Sequence, residues 1–280
     1  MRKIALLITV ISLLLLSACT VSVGRGSGNI VSEDRAVSGF TRISFSGGGE
    51  MVLTQAEEES LKVEADDNLL PYIETFVRNG ELIIRIKPTI NFFPSKTVKY
   101  LVSLPELEGV SVSGGGKLRA DELAIDTLDV SISGGGRAEI GAVGGDQLTI
   151  DSSGGSWVYI SDLTVDSIAV EMSGGGKFQV DTLKADLLEM DMSGGSEATI
   201  LGGEVDRQAI QMSGGGKYEA PDLKSQTAEI NGSGGSRLLV WAEESLDASL
   251  SGGGKVEYYG KPAITSDMSG GARLVSLGER

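Results

Sequence analysis

The chain of 280 residues has no histidine, one cysteine, 6 prolines and few aromatic side chains. Without histidine, it lacks the commonest general base, the Ser–His and Cys–His nucleophile pairs and imidazole metal ligands. The single cysteine, Cys19, excludes a disulfide within the chain and a cysteine-based zinc site. These absences favour a protein with no catalytic residues and no cofactor.

Basic residues are in the minority, with 24 Lys and Arg against 39 Asp and Glu and a net charge of -15. This balance argues against nucleic acid as a partner and against binding of anionic lipids through a cluster of basic residues. Glycine is in excess, with 40 copies, about twice the usual ~7%. Because the hydrophobic fraction is 40%, the glycines are better explained as punctuation between strands than as disorder.

The N-terminus has the layout of an export signal, in which two basic residues, an apolar run over 4–16 and two small residues precede Cys19. The run is short for a spanning helix, which needs ~20 apolar residues. The ending Leu-Ser-Ala-Cys resembles a bacterial lipobox. We therefore predict a lipoprotein signal peptide at 1–18 and lipidation of Cys19, which makes a membrane the first partner. An ordinary signal peptide or a membrane anchor is the alternative.

Thr20 stands where an inner-membrane retention signal usually shows aspartate, which points to the outer membrane. Residues 19–35 are predicted to be the lipidated cysteine and a polar tether that holds the folded body off the bilayer.

The dominant pattern is an internal repeat of Ser-Gly-Gly. Between the motifs, apolar and polar residues alternate, as in "KFQVD" and "LEMDM", which is the period of strands with one buried face. Like residues form columns, as expected where coils stack ~4.8 Å apart. We therefore predict an all-β fold, a parallel β-solenoid of ~20-residue coils over residues 113–280. The motifs begin at residues 113, 133, 153, 173, 193, 213, 233, 251 and 269.

The glycines of the motif have two candidate roles. A phosphate-binding loop of the GxxxxGK[ST] type occurs once and precedes a helix, whereas this motif repeats between strands. Glycine also suits corners that need a positive φ or a close approach of coils. The corner role is favoured, and it predicts that Gly175→Val breaks a coil and destabilises the stack.

A mostly basic column follows the glycines. It could form a stripe that binds an acidic polymer, or a solvated edge whose charges oppose aggregation. Trp157 and Glu197 interrupt the column and the net charge is negative, so the solvated edge is favoured. The candidate binding stripe consists of Lys117, Arg137, Lys177, Lys217, Arg237, Lys255 and Arg273.

An aspartate column recurs on another side of the coil. Stacked carboxylates could bind Ca²⁺, which takes 6–8 oxygen ligands. Aspartates that shape turns are commoner, and the calcium-binding nonapeptide spacing is absent. The turn role is favoured and no metal site is predicted. The weak calcium candidates are Asp126, Asp146, Asp166, Asp186 and Asp206.

Residues 36–112 lack the twenty-residue period. They read as strands around a short helix through "NLLPYIETFV", which Asp66 and Asp67 would cap and which has Pro71 in its first turn. An earlier copy of the motif, at 46–49, is isolated from the others. Because terminal coils need covering, we predict that this region caps one end of the solenoid.

Three segments, "AVSGFTRISFSGGGEMVLTQ", "LKVEADDNLLPYIETFVRNGELIIRIK" and "VSLPELEGVSVSGGGKL", resemble the bacterial head GIN domain, a family of suspected autotransporter adhesins. The resemblance covers roughly residues 36–280. It implies a right-handed β-helix of pectin-lyase-like type with Ser/Gly turns, a secreted or surface location and an adhesive role. It supplies no catalytic residues.

We expect a non-enzymatic, lipid-anchored protein of the bacterial cell envelope, whose solenoid is a rigid surface for adhesion or envelope structure. Its ligand would be an unknown protein or glycan, and self-association is a further option. One alternative is a polysaccharide-active β-helix enzyme using Asp and Glu, although near-constant coil lengths leave no room for cleft-forming loops. The other is a periplasmic sensor or scaffold that binds another protein.

Overall fold

Parallel strands stacked in register make up most of the molecule. The structure, a computed structural model, describes residues 22–88 and 90–280. The predicted signal peptide and the lipidation site Cys19 lie outside the described residues.

The described part contains strands and a single 3₁₀ turn, at Leu70–Tyr72. In chain order the strands are β1 (Ser22–Arg25), β2 (Ile30–Arg35), β3 (Arg42–Ser46), β4 (Gly49–Gln55), β5 (Ser60–Asp66), β6 (Ile73–Arg78), β7 (Glu81–Ile86), β8 (Ile90–Phe93), β9 (Lys99–Leu104), β10 (Gly109–Ser113), β11 (Gly116–Ile132), β12 (Arg137–Gly154), β13 (Trp157–Gly174), β14 (Lys177–Gly194), β15 (Glu197–Ile200), β16 (Gly203–Gly214), β17 (Lys217–Gly234), β18 (Arg237–Gly252), β19 (Lys255–Tyr259), β20 (Ala263–Met268) and β21 (Arg273–Ser276).

From β10 onward, residues twenty apart are parallel partners: Val158 lies between Ala138 and Phe178. The alternation of side chains along each strand then places one apolar column after another inside the coils. The predicted all-β solenoid is confirmed, with about 8 turns. One interior column, buried throughout, consists of Leu118, Ala138, Val158, Phe178, Ala198, Tyr218, Leu238 and Val256.

The first glycine of each corner carries the conformational constraint. Gly174 has a φ of 99°, and a Cβ there would lie 2.9 Å from the carbonyl oxygen of Gly154. The next residue, Gly175, has no positive φ, and a Cβ added to it meets nothing within 4 Å. The expectation for Gly175→Val is therefore wrong, because the strain falls one residue earlier.

The corner amides bond from coil to coil. The amide of Gly175 donates to the carbonyl of Gly154 at 2.9 Å, and the amide of Gly155 donates to that of Gly134 at 2.8 Å. Amides used in this way are not available to cradle a phosphate group. The geometry agrees with the corner role of the motif.

The motif at 46–49 belongs to the same stack and is not isolated. β3 pairs in parallel with β10 and β4 with β11, so that Ser46 lies beside Ser113. The other side of this coil is covered by β7 and β9, which are also parallel to it. The solenoid therefore begins before residue 113, and residues 81–104 form its terminal coil out of chain order.

Antiparallel strands close that end of the stack, with β6 on β7, β5 on β9 and β2 on β5. The predicted helix is wrong, since only one 3₁₀ turn forms and residues 73–78 are strand β6. The β-branched Ile73, Thr75 and Val77 favour a strand, and pairing with β7 satisfies its backbone.

Asp66 and Asp67 tie the first described residues to this cap and do not cap a helix through their side chains. Buried Asp66 accepts hydrogen bonds from the hydroxyl of Ser95 at 2.5 Å and the amide of Gly28 at 2.8 Å. Asp67 accepts one from the hydroxyl of Ser27 at 2.5 Å. The hydrogen bond from Ser95 is the main reason that the pKa of Asp66 is lowered. The hydrogen bond from Ser27 is the main reason that the pKa of Asp67 is lowered.

The predicted tether over 19–35 is wrong from Ser22 onward. β1 pairs with β8 in the cap, and β2 pairs with β5. The described fold thus begins at Ser22 and not at residue 36.

One polar cluster lies inside the coils, where the repeat shortens from twenty residues to eighteen. Gln208, which is 0% exposed, accepts a hydrogen bond from Tyr218 at 3.0 Å and donates one to Ser225 at 2.8 Å. Ser225 donates in turn to the carbonyl of Trp241 at 2.7 Å. The register between β17 and β18 shifts here, so the carbonyl of Trp241 bonds to a side chain inside the coils. The cluster supplies the hydrogen bond that this buried carbonyl needs.

Candidate binding face

The predicted stripe is a continuous ladder on one outer face of the coils. Its members are direct parallel partners: Lys117 lies on Arg137, which lies on Trp157, which lies on Lys177. The same register continues through Glu197 to Arg273. We call the outward positions four, six and eight residues after each repeat serine the stripe face. It ends where the alternation breaks at the next corner.

Acidic partners neutralise the lysines of the stripe. Lys177 contacts Glu197 at 2.7 Å, and three other lysines contact a glutamate two positions along their own or the next strand. Arg137, Arg237 and Arg273 have no ion pair within the described part of the chain. The stripe is therefore a mixed ladder and not an open basic surface. The other pairs are Lys117–Glu139 at 2.6 Å, Lys217–Glu219 at 2.7 Å and Lys255–Glu257 at 2.6 Å.

The ion pairs perturb the carboxyl groups in the expected direction. Burial acts to raise the pKa of Glu139, but the hydrogen bond and charge of Lys117, joined by Arg119, outweigh it and lower the pKa. The hydrogen bond from Lys177 lowers the pKa of Glu197 against a smaller effect of burial. Both carboxylates are held in their charged form.

Trp157 and Tyr159 interrupt the charged ladder with an aromatic pair. Their rings stack with centroids 6.0 Å apart and planes at 16°, and both side chains are half-buried. The hydroxyl of Tyr159 donates to Asp181 at 2.6 Å, and this bond is the leading cause that raises the pKa of Tyr159. Gln179 donates to the other oxygen of Asp181 at 3.1 Å. The pair is thus fixed in place by the next coil.

A second aromatic pair lies farther along the same face. Trp241 and Tyr259 are direct partners on neighbouring strands, and both are half-buried. The guanidinium of Arg280 lies 4.8 Å from the ring centroid of Tyr259. Leu201, at the same position in the repeat two coils before Trp241, is 49% exposed. In the coils over 116–276, every aromatic side chain that reaches the surface belongs to the stripe face.

The face on the other side of the glycine corner has a different character. We call the outward positions four and two residues before each repeat serine the acidic face. In the repeats with serines from 113 to 269, neither position holds a lysine, an arginine or an aromatic residue. The exception in the stack is Arg42, four residues before Ser46, which contacts Asp129 at 3.1 Å. Asp151, Glu171 and Asp191 are direct partners, so carboxylates stack upon carboxylates. Its acidic residues are Asp129, Asp151, Glu171, Glu189, Asp191, Glu229, Asp247 and Asp267.

The aspartate column lies exposed along a third edge, beside a groove of about 510 Å³. Lys184 and Lys224 line this groove together with Asp166, Asp186 and Asp206. Within residues 22–88 and 90–280, no group of three or more acidic, His or Cys side chains is placed to hold a metal ion. The structure therefore does not bring the calcium candidates together as a site.

The aromatic character of the stripe face was missed from the sequence. In the sequence, Trp157 interrupts a basic column, and Trp241 has a different position in its repeat. The signal was the periodicity itself, because positions four, six and eight after serine share one side of a strand.

No helix among the described residues is both long and apolar enough to cross a membrane. A comparison with curated proteins finds no match. Solved structures with the same fold include a "putative lipid binding protein" from Parabacteroides distasonis, 23% identical with a TM-score of 0.71, which covers 91% of this chain and 100% of its own. A "putative adhesin" from the same organism is 21% identical with a TM-score of 0.73 and the same coverage. Another, from Parabacteroides merdae, is 18% identical with a TM-score of 0.71 and covers 91% and 99%.

The family model described as "Putative auto-transporter adhesin, head GIN domain" matches residues 39–162 and 150–262, which together span most of the solenoid and its cap. The chain belongs to this family.

Proposed function

We propose that this chain is a lipid-anchored protein of the bacterial envelope that binds other surfaces through its stripe face, without catalysis. The observation that carries the proposal is that, in the coils over 116–276, every aromatic side chain that reaches the surface lies on that face. Trp, Tyr and Arg are the residue types that dominate binding energy at interfaces. The stripe face supplies all three, whereas the acidic face of the repeats from residue 113 onward supplies none.

The rigidity of the strands supports the same surface. Trp157 and Tyr159 project from a strand that is paired on both sides along its length, and Asp181 fixes the Tyr159 hydroxyl. A preorganised aromatic pair loses little conformational entropy when a ligand covers it. The family description and the adhesin titles of the related structures are consistent with such a role.

The anchor is proposed at Cys19, three residues before the described fold begins at Ser22. A short connection would hold the capped end of the solenoid near the bilayer. The stripe face would then extend away from the membrane, parallel to the bilayer normal. Cys19→Ser should abolish metabolic labelling with palmitate and release the chain from the outer-membrane fraction, while Ser22→Ala should change neither. Labelling of Cys19→Ser would contradict the anchor, and protease treatment of intact cells distinguishes the surface from the periplasm.

The binding surface is tested with the purified full chain on a glycan array and on intact bacterial and epithelial cells. Trp157→Ala and Trp241→Ala should each weaken binding at least about tenfold, the effect of removing one hot-spot side chain. Gln211→Ala on the acidic face is the matched control and should bind as the wild type does. Binding that resists both tryptophan substitutions, or falls in the control, would contradict the proposal. Release of reducing ends from a bound glycan would favour the polysaccharide-active enzyme.

A further inference from the structure

The two ends of the solenoid are finished differently. Antiparallel strands cover the terminal coil near the N-terminus. At the other end, β20 pairs only with β18 and β21 only with β19 among the described strands. The last coil therefore presents open strand edges, which are templates for pairing with another strand.

Strand β20 also exposes the end of the core. Ile264 is 46% exposed, whereas Leu246, its partner one coil inside, is 1% exposed. Met268 is half-buried, and its partner Leu250 is 3% exposed. No lysine, proline or bulge protects this strand. An apolar end of this kind gains stability when another strand covers it.

The backbone groups of β20 that face the open edge can be identified. The amide of Ser269 donates to the carbonyl of Leu250 at 2.9 Å. Because alternate residues of a parallel strand bond to opposite neighbours, the amides and carbonyls of Ile264, Ser266 and Met268 point to the open edge.

The sequence of β20 is self-complementary about Ser266. In an antiparallel pair of two copies centred there, Ile264 of one copy lies opposite Met268 of the other on the core side. On the solvent side Thr265 lies opposite Asp267, so the two aspartates do not oppose each other. Ser266 then forms a hydrogen-bonded pair with its own symmetry copy, as its edge-facing backbone requires.

We propose that two copies of this chain associate end to end through β20, as a two-fold antiparallel pair centred on Ser266. The interface is isologous, since the same strand serves in both copies. At the opposite end, the outermost strands β2 and β6 also have one described partner each, but they carry charged side chains such as Glu33, Asp34 and Glu74, which oppose strand addition. The assembly therefore closes as a dimer and does not grow into a fibre.

The two-fold arrangement places the two caps at opposite ends of the dimer. Each chain enters its cap at β1, which begins at Ser22. With the lipid anchor of the proposed function, on which this step rests, the copies would belong to two different membranes. The contact would then join one cell to another of the same kind.

Sedimentation equilibrium of the full chain in detergent, over the micromolar range, tests the dimer directly. The wild type should dimerise, and Ile264→Lys should weaken association at least about tenfold, because each copy then brings a charge into the apolar contact. Ser249→Lys is the matched control, since it adds the same charge at a half-buried, outward-facing position one coil inside. A monomeric wild type, or an Ile264→Lys variant that dimerises and melts as the wild type does, overturns the proposal.

A cross-link tests the register. In a Cys19→Ser background, Ser266→Cys should form a disulfide between copies, because hydrogen-bonded antiparallel partners have Cα atoms ~5.5 Å apart, within the range of disulfides. Ser249→Cys should not. Equal cross-linking at both positions overturns the assigned contact.

Clumping of cells that express the chain separates this proposal from the stripe-face function. Ile264→Lys should abolish clumping and leave glycan or host-cell binding unchanged, and Trp157→Ala should do the reverse. If the wild type dimerises in solution but Ile264→Lys cells still clump, the dimer stands and only its role in joining cells is contradicted.

Discussion

The inside and the outside of the same strands follow different rules. In β13, Val158 and Ile160 face the core and are 0% exposed. Trp157 and Tyr159, which alternate with them along the strand, face solvent. Each core side chain is packed against equivalent side chains in the coils above and below, so a change of shape is felt in three coils. Outward positions change from Lys to Glu to Trp without altering the coil. Stability is therefore concentrated in the core and corners, and binding chemistry on the faces.

The largest effect should come from a corner. Gly174→Val requires a β-branched residue at a φ of 99° and brings its Cβ to 2.9 Å from the carbonyl of Gly154. We expect a loss of ~3 kcal/mol or more in the free energy of unfolding. Gly175→Val is the control and should cost well under half as much. Urea denaturation followed by circular dichroism measures both, and equal losses would contradict the assignment of the strain to Gly174.

A smaller effect should follow from the polar cluster in the core. Tyr218→Phe keeps the ring but leaves the buried side-chain oxygen of Gln208 without its donor. We expect a loss of ~1–2 kcal/mol in the free energy of unfolding, the cost of an unsatisfied buried polar group. Tyr259→Phe removes a hydroxyl from the stripe face and should change stability by less than ~0.5 kcal/mol. If the two substitutions cost the same, the distinction between core and face does not hold at these positions.

The smallest effect should come from the ion pairs of the stripe. Glu197 has a lowered pKa in the folded chain, so its contribution to stability is present above its ordinary value of 4.5 and is lost as pH falls through the folded value. Glu197→Gln should cost up to ~0.5 kcal/mol at neutral pH, and the difference from the wild type should vanish in acid.

Glu171→Gln is the control on the acidic face. Glu171 lies between Asp151 and Asp191, so removal of its charge relieves repulsion and should leave stability unchanged or slightly increased. Chemical denaturation at several pH values compares the two variants. A loss in Glu171→Gln equal to that in Glu197→Gln would show that the two faces do not differ electrostatically.

The coils were predictable because their repeat is local and regular. A residue such as Val158 and its partner Phe178 are twenty positions apart in the chain, so the period of the sequence is also the register of the sheet. The N-terminal cap was predicted only in outline. Its terminal coil, residues 81–104, is inserted beside β3 and β4 out of chain order, and no period in the sequence records that placement.

The candidate site was predictable only in part. The stripe lies where its column placed it, but its ion pairs depend on side chains from neighbouring coils. Glu197 interrupts the stripe in the sequence, whereas in the structure it is the ion-pair partner of Lys177. The stripe face contains both Trp157 and Trp241, which lie four coils apart and at different positions in their repeats.

The sequence by itself determined that the chain is a stack of parallel coils with glycine corners and an apolar interior. Apolar and polar residues alternate along each repeat, and the repeat length is nearly constant, so stacking of equivalent residues is what buries the apolar side chains. Only the tertiary structure decided which glycine of each corner is strained and where the first coil lies. It also decided which charges neutralise each other and which end of the stack stays open. These properties depend on contacts between coils and on the cap, where distance in space is unrelated to distance along the chain.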